Sequence, residues 1–192
     1  MSDKIMQIEI SEHEKQWLLN QGAEMIASLG VTERSSVIDF GCGKGRYAIP
    51  LSQVVGDKGN VLAVERDSDE IADLRERIKA FGRQEAIRIL NSEDVRLQSV
   101  DTGTIDSVFM FDVLQYIEDW DVFFESVHRV LKPGGSVNVY PAAVPHPGAV
   151  NIELVASMMS KFDLQDSGKK AFRMMHNKDM IKDEVYTFSL PN

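Results

Sequence analysis

The stretch Val37-Ile38-Asp39-Phe40-Gly41-Cys42-Gly43-Lys44-Gly45 decides how the chain is read. Four residues of strand character end in an acid and an aromatic, and three glycines at alternate positions follow before a helical pattern resumes. Glycines at 41, 43 and 45 let a backbone turn adopt positive φ and let a ligand approach without meeting a Cβ. Twenty residues past Gly45 a second apolar run, Val61 to Glu65, ends in a carboxylate able to accept both hydroxyls of a ribose. Strand, glycine turn, helix, strand and acid in this order form the first βαβ unit of a nucleotide-binding sheet.

The same alternation continues outward. Helices are expected from about Arg46 to Val55, Ser68 to Phe81, Trp120 to Val130 and Ala149 to Lys161. Strands are expected at Ser36 to Phe40, Val61 to Glu65, Ile87 to Leu90, Ile105 to Phe111 and Ser136 to Tyr140. Near the end two further strands, Phe162 to Gln165 and Val185 to Leu190, are too close in sequence for a full crossover helix and should pair antiparallel at one edge. The fold class is therefore α/β: a Rossmann-like, doubly wound, mostly parallel seven-stranded sheet with an antiparallel edge strand. Before the sheet, Ser11 and Glu14 make an S-x-x-E capping box for a helix that carries Trp17, Leu18, Met25, Ile26 and Leu29 and stops at Gly30. We divide one domain, 1–192, into an N-terminal helical segment (1–33), a cofactor-binding core (34–140) and a substrate-side loop, helix and edge strands (141–192).

Composition limits the partners. With 192 residues, 43% hydrophobic and 27% charged, the chain is long enough to bury one core. A net charge of −9 disfavours nucleic acid and anionic membrane surfaces, leaving a small-molecule or protein substrate. The single cysteine, Cys42, rules out an internal disulfide and a multi-cysteine zinc site, and no metal is expected. No apolar run is long enough for a membrane span or a signal peptide core, so a cytoplasmic location is expected.

The identity of the nucleotide follows from two residues. A dinucleotide fingerprint would place Gly or Ala where Arg46 stands, and the Asp39 carboxylate would repel a pyrophosphate but hold an ammonium. A nucleoside joined to an amino acid satisfies both, which describes S-adenosylmethionine. A nicotinamide-dependent oxidoreductase and a non-catalytic S-adenosylmethionine-binding module are the competing readings.

The chain resembles the class I S-adenosylmethionine-dependent methyltransferase family through five segments in family order. These are VIDFGCGKGRY (37–47), NVLAVERD (60–67), ILNSEDVRL (89–97), IDSVFMFDVLQYIED (105–119) and VLKPGG (130–135). That resemblance implies that Asp39, Gly41 and Gly43 flank the methionine part of the cofactor, and Cys42, in the same turn, is counted with the cofactor-binding residues although by itself it reads as a small buried residue. The resemblance also implies that Glu65 binds the ribose, that Arg66 lies beside the adenine, that Glu93 or Asp94 holds its amine, and that Phe111 closes the strand near the methyl donor. The chain lacks the Asn-Pro-Pro-Tyr tetrad of base amino-methylation, an Asp-Asn pair for magnesium, and the several thiols of arsenite methylation. Catalytic residues are not assigned; Asp112, Gln115, Tyr116 and His146 are candidates for orienting the substrate. His13 and His128 are expected to be packing or surface residues, and the basic stretch Lys169 to Lys182, which contains His176, to be a solvated connection, with contact to an anionic substrate as the alternative. Few helices surround the core, so the site is expected to be open, and a homo-oligomeric partner is compatible with that.

Overall fold

The computed structural model describes residues 10–91, 96–141 and 150–192. Its seven strands are β1 (Ser36–Phe40), β2 (Asn60–Glu65), β3 (Ile87–Asn91), β4 (Ile105–Phe111), β5 (Leu131–Tyr140), β6 (Gln165–His176) and β7 (Asp179–Ser189). They form one sheet in the order β3-β2-β1-β4-β5-β7-β6. The first five pair in parallel, whereas β7 runs antiparallel to both β5 and β6. Helices α1 (Glu12–Gln16), α2 (Gly22–Ala27), α3 (Ala48–Val55), α4 (Ser68–Phe81), α5 (Trp120–Val130) and α6 (Ile152–Lys161) cover its faces.

Period-two alternation divides the core. Ile38, Phe40, Leu62, Val64, Val108 and Met110 share one apolar cluster with Phe123, Phe124 and Val155 of α5 and α6. Val37, Val61, Ala63, Phe109 and Phe111 point the other way, into a cluster with Trp17, Ile26, Leu51 and Leu74. Asp39 lies in register with that second set and is 2% exposed, a carboxylate where the pattern calls for a hydrocarbon. The antiparallel strand is pinned by a buried polar chain. Asn138 donates to Ser107 Oγ at 2.9 Å and accepts from Thr187 Oγ1 at 2.9 Å, joining β4, β5 and β7.

Several boundaries differ from the sequence reading. The third helix begins at Ala48 rather than Arg46, because Gly45 and Arg46 belong to the turn. The stop signal Lys132-Pro133-Gly134-Gly135 lies inside β5, where a register shift opposite Ile105 to Ser107 absorbs the irregular residues. A π-helical segment, Trp17–Gln21, separates α1 from α2. The larger correction concerns the end of the chain. Phe162 caps α6, the strand starts only at Gln165, and the basic stretch is a long hairpin with Asn177 and Lys178 at its turn. Local charge pointed to solvent, but Met174 and Met175 are fully buried against Trp17 and Tyr140, and that burial decides the conformation.

Only half of the expected capping box forms. Ser11 Oγ accepts the Glu14 N–H at 3.1 Å, while the Glu14 carboxylate turns inward to Arg46 (3.0 Å) and Arg77 (2.7 Å). Glu14 and Arg77 are both buried, so this ion pair fastens the first helix to the glycine turn and to α4. Trp17 adds an Nε1–H bond to the Arg46 carbonyl at 2.7 Å. Replacing Glu14 with Leu removes the carboxylate that the buried Arg77 bonds, and should lower stability by about 2–3 kcal/mol in urea unfolding.

Candidate active site

Strand order reverses its winding between β1 and β4, and the crevice beyond their carboxyl ends holds a cavity of about 440 Å³. Gly41 and Gly43 supply its floor, Glu65 and Arg66 one wall, and Asp112 and Asn177 the other. A more open groove of about 860 Å³ lies at the opposite end of the sheet, near Thr102, His128 and Pro133. There the Arg129 guanidinium is already engaged by the carbonyls of Leu97 and Val100, so we place the site at the carboxyl ends.

The glycine turn is shaped by its neighbours. The N–H groups of Gly41 and Cys42 both bond to the Val64 carbonyl, at 2.9 and 3.1 Å, which draws the turn against β2. Gly41 has φ +73°, and a Cβ there would stand 2.3 Å from Val113 Cγ2. At Gly43, φ +50°, a Cβ would meet only Glu70 Oε2, at 3.4 Å, and would stand beside the cavity. The first glycine is required by packing, the second by its conformation and by what fills the crevice.

Glu65 holds the crevice edge. One carboxylate oxygen accepts the Gly43 N–H at 2.8 Å, and the other accepts the N–H groups of Arg66 and Asp67 at 2.8 and 3.0 Å. Asp39 lies beneath the turn with Oδ2 lacking any hydrogen-bond partner among the described residues. Burial, and then the nearby Glu65 charge, push its carboxyl up to about 7, while a backbone hydrogen bond from Ala48 acts in the other direction. Such an orphaned acid fits a cation that arrives with a ligand. The residues present thus match the two polar ends of S-adenosylmethionine: an ammonium for Asp39 and ribose hydroxyls for Glu65.

The other sequence candidates separate. Arg66 lines the cavity, but Cys42 and Phe111 are buried in the core behind it. Burial, reinforced by Asp39 and Glu65, holds the Cys42 thiol well above its ordinary range, so it stays protonated. Phe111 stacks edge-on against Tyr47 at 4.6 Å. Asp112, Gln115 and Tyr116 come together at the end of β4, with Asp112 and Tyr116 on the cavity wall. Glu93, Asp94 and His146 lie outside the described residues.

One participant was hidden in the sequence. The hairpin β6–β7 extends past the end of β5, and Tyr47 O–H bonds to the Met175 carbonyl at 2.6 Å. This carries His176 to Asp112, Nδ1 to Oδ2 3.2 Å, and brings Asn177 to the cavity. The only sequence signal was the pair Met174-Met175, apolar residues inside a basic run that solvent alone would not favour.

Comparison with known proteins agrees with this geometry. A family model described as "Methyltransferase domain" matches residues 38–139. The chain is 24% identical over 190 residues to a demethylmenaquinone methyltransferase of Staphylococcus epidermidis, covering 97% of this chain and 73% of that protein. It is 28% identical over 116 residues to a ubiquinone/menaquinone biosynthesis C-methyltransferase of Haemophilus ducreyi, covering 60% and 44% of the two chains. Among solved structures, a SAM-dependent methyltransferase from Aquifex aeolicus shares the fold with a TM-score of 0.72 at 20% identity, over 91% of this chain and 92% of that one. The oxidoreductase reading is set aside on these grounds, and no described helix is long and apolar enough to cross a membrane. The family match spans the glycine turn, Glu65 and the end of β4, and the chain belongs to the methyltransferase-domain family as a class I S-adenosylmethionine-dependent methyltransferase.

Proposed function

We propose that this enzyme methylates a small phenol- or quinol-type acceptor, with Asp39, Gly41, Gly43, Glu65 and Arg66 around the cofactor, Asp112 and Tyr116 facing the acceptor, and Gln115 holding Asp112 from behind. The observation that carries the cofactor assignment is the buried Asp39 carboxylate at the foot of the glycine turn, beside Glu65, with an oxygen that has no partner among the described residues. Cys42 and Phe111 support the site from behind, and Glu93 or Asp94 completes the adenine end. When bound, the cofactor supplies an activated methyl group on a sulfonium leaving group. The chain then has to hold an acceptor in line with that methyl and keep water away.

The acceptor class rests on two supports. Relatives that match much of the chain are named for demethylmenaquinone and for C-methylation in ubiquinone and menaquinone biosynthesis. The acceptor side of the cavity also offers Val113, Tyr116 and Ile117, an apolar wall suited to an aromatic ring. Isothermal titration with S-adenosylmethionine, S-adenosylhomocysteine and NAD, followed by mass detection of methyl transfer to reduced demethylmenaquinone, a simple phenol and a primary amine, tests the reading. Binding of the first two and methylation of a phenol or quinol are expected. Methylation of the amine alone would overturn the acceptor class.

Glu65 gives a separate test. Glu65→Ala removes a charged acceptor from the ribose and the clasp on Gly43, and should weaken S-adenosylhomocysteine binding by about 1.5–3 kcal/mol in calorimetry. Unchanged affinity in the folded variant would remove Glu65 from the site.

A further inference from the structure

We infer that His176, held by Asp112, is the base that takes the proton from a hydroxyl acceptor during methyl transfer. The inference rests on the methyl-transfer reading above and adds to it the residue that receives the proton.

The geometry orders the imidazole on three sides. Nδ1 stands 3.2 Å from Asp112 Oδ2, and an ionised carboxylate only accepts, so Nδ1 carries the ring hydrogen. The Asn177 amide nitrogen lies 3.0 Å from Nε2, and a donor there requires that Nε2 present its lone pair. The Tyr140 ring packs edge-on against the imidazole with centroids 5.9 Å apart. Asp112 is itself clamped. Gln115 Nε2 donates to its Oδ1 at 3.1 Å and to its carbonyl at 2.9 Å, and its N–H bonds to the Tyr140 carbonyl at 2.9 Å.

Asp112 also holds a backbone conformation that a non-glycine residue adopts at a cost, φ +58°, at the carboxyl end of β4. From that position its carboxylate reaches His176 of the hairpin. Asp112 and Asn177, the two residues bonded to the imidazole, both line the cavity, and a hydroxyl that took the place of the Asn177 amide would meet the Nε2 lone pair. A carboxylate, an imidazole with fixed tautomer and an exchangeable donor on the free nitrogen make up a general base with its orienting partner.

The balance of the step is simple. The acceptor O–H proton passes to Nε2. The electron pair left on oxygen forms the new bond to the methyl group, either from oxygen itself or through the ring from the adjacent carbon, which then gives up its hydrogen as a proton. The methyl–sulfur pair remains on sulfur. The imidazolium, stabilised by Asp112, returns its proton to water. Acceptors that arrive already ionised have no need of it, and that difference makes the role testable.

Protein labelled with ¹⁵N-histidine, bound to S-adenosylhomocysteine, provides a measurement that needs no turnover. His176→Gln identifies the signal among the four histidines. In the neutral ring Nδ1 should be protonated and Nε2 bare, and Asp112→Ala should abolish that preference. A wild-type ring with its hydrogen on Nε2 would overturn the proposal. Calorimetry with S-adenosylhomocysteine, expected to change less than about threefold in His176→Gln, shows that the cofactor site is intact. With a phenol that is neutral at the assay pH, His176→Gln should lower kcat by about 10²–10⁴. With a nitrophenol that is ionised at that pH the loss should nearly vanish. An equal loss for both phenols would make His176 structural and sink the proposal, whereas failure of S-adenosylhomocysteine to bind the wild type would count against the site as a whole.

Discussion

The ligand-free Asp39→Asn variant should melt several degrees above the wild type at pH 8 and yet bind S-adenosylmethionine at least about 100-fold more weakly, a loss of about 3 kcal/mol. Both effects come from one buried charge. In the folded chain desolvation and Glu65 raise the Asp39 carboxyl from 3.8 to about 7. The folded state therefore keeps a proton that the unfolded chain has released, and stability falls as pH rises between about 4 and about 7 and stays lower above that range. The amide has no such penalty, so its advantage should be a few kcal/mol at pH 8, smaller at pH 6 and absent near pH 4. The ammonium of the ligand favours the ionised acid, so wild-type affinity should decline from pH 7 to pH 5 while the weak binding of the variant stays flat. Differential scanning fluorimetry and calorimetry across pH measure the two trends. An Asp39→Asn protein that is destabilised at pH 8 and binds normally would show that the carboxylate is a structural acid.

Gly43→Val should abolish measurable S-adenosylhomocysteine binding while leaving a folded protein. At φ +50° a β-branched residue is strained by about 1–3 kcal/mol, a cost a chain of this size can bear. Its Cβ would have ordinary clearance from Glu70 Oε2, so packing does not forbid it. The added methyl groups would stand at the cavity floor, and the Gly43 N–H to Glu65 bond at 2.8 Å would be disturbed from the same position. Gly41→Ala makes the contrast, because its Cβ would press on Val113 at 2.3 Å and the damage should show first in stability. Circular dichroism and titration of both variants separate the two glycines; wild-type affinity in Gly43→Val would mean that the turn is only a connection.

Much of this site was legible because its parts are local. The acid, the glycines and Glu65 fall within 27 residues of one βαβ unit, where hydrophobic period and turn chemistry suffice to order them. The same period exposes Asp39 as an acid on an apolar face. The register of β1 with β2, Asp39 opposite Ala63 and Phe40 opposite Val64, then brings the strand ends together as the sequence pattern required. The proposed acceptor side was not legible in the same way. Asp112 and Gln115 stood out as residues after a strand, but their partner lies 64 positions beyond Asp112 in a run whose charge resembled a solvated loop.

By itself the sequence determined a doubly wound α/β chain with a glycine turn, an acid-tipped second strand and an antiparallel edge, because these depend on alternation, glycine conformation and short-range order. Only the tertiary structure decided that Glu14 leaves its helix cap for Arg46 and Arg77, since a buried guanidinium needs a carboxylate more than an exposed N–H does. The tertiary structure likewise decided that the basic segment is a hairpin. Burying Met174 and Met175 against Trp17 and Tyr140 outweighs the pull of its charges to water, and that packing carries His176 to Asp112.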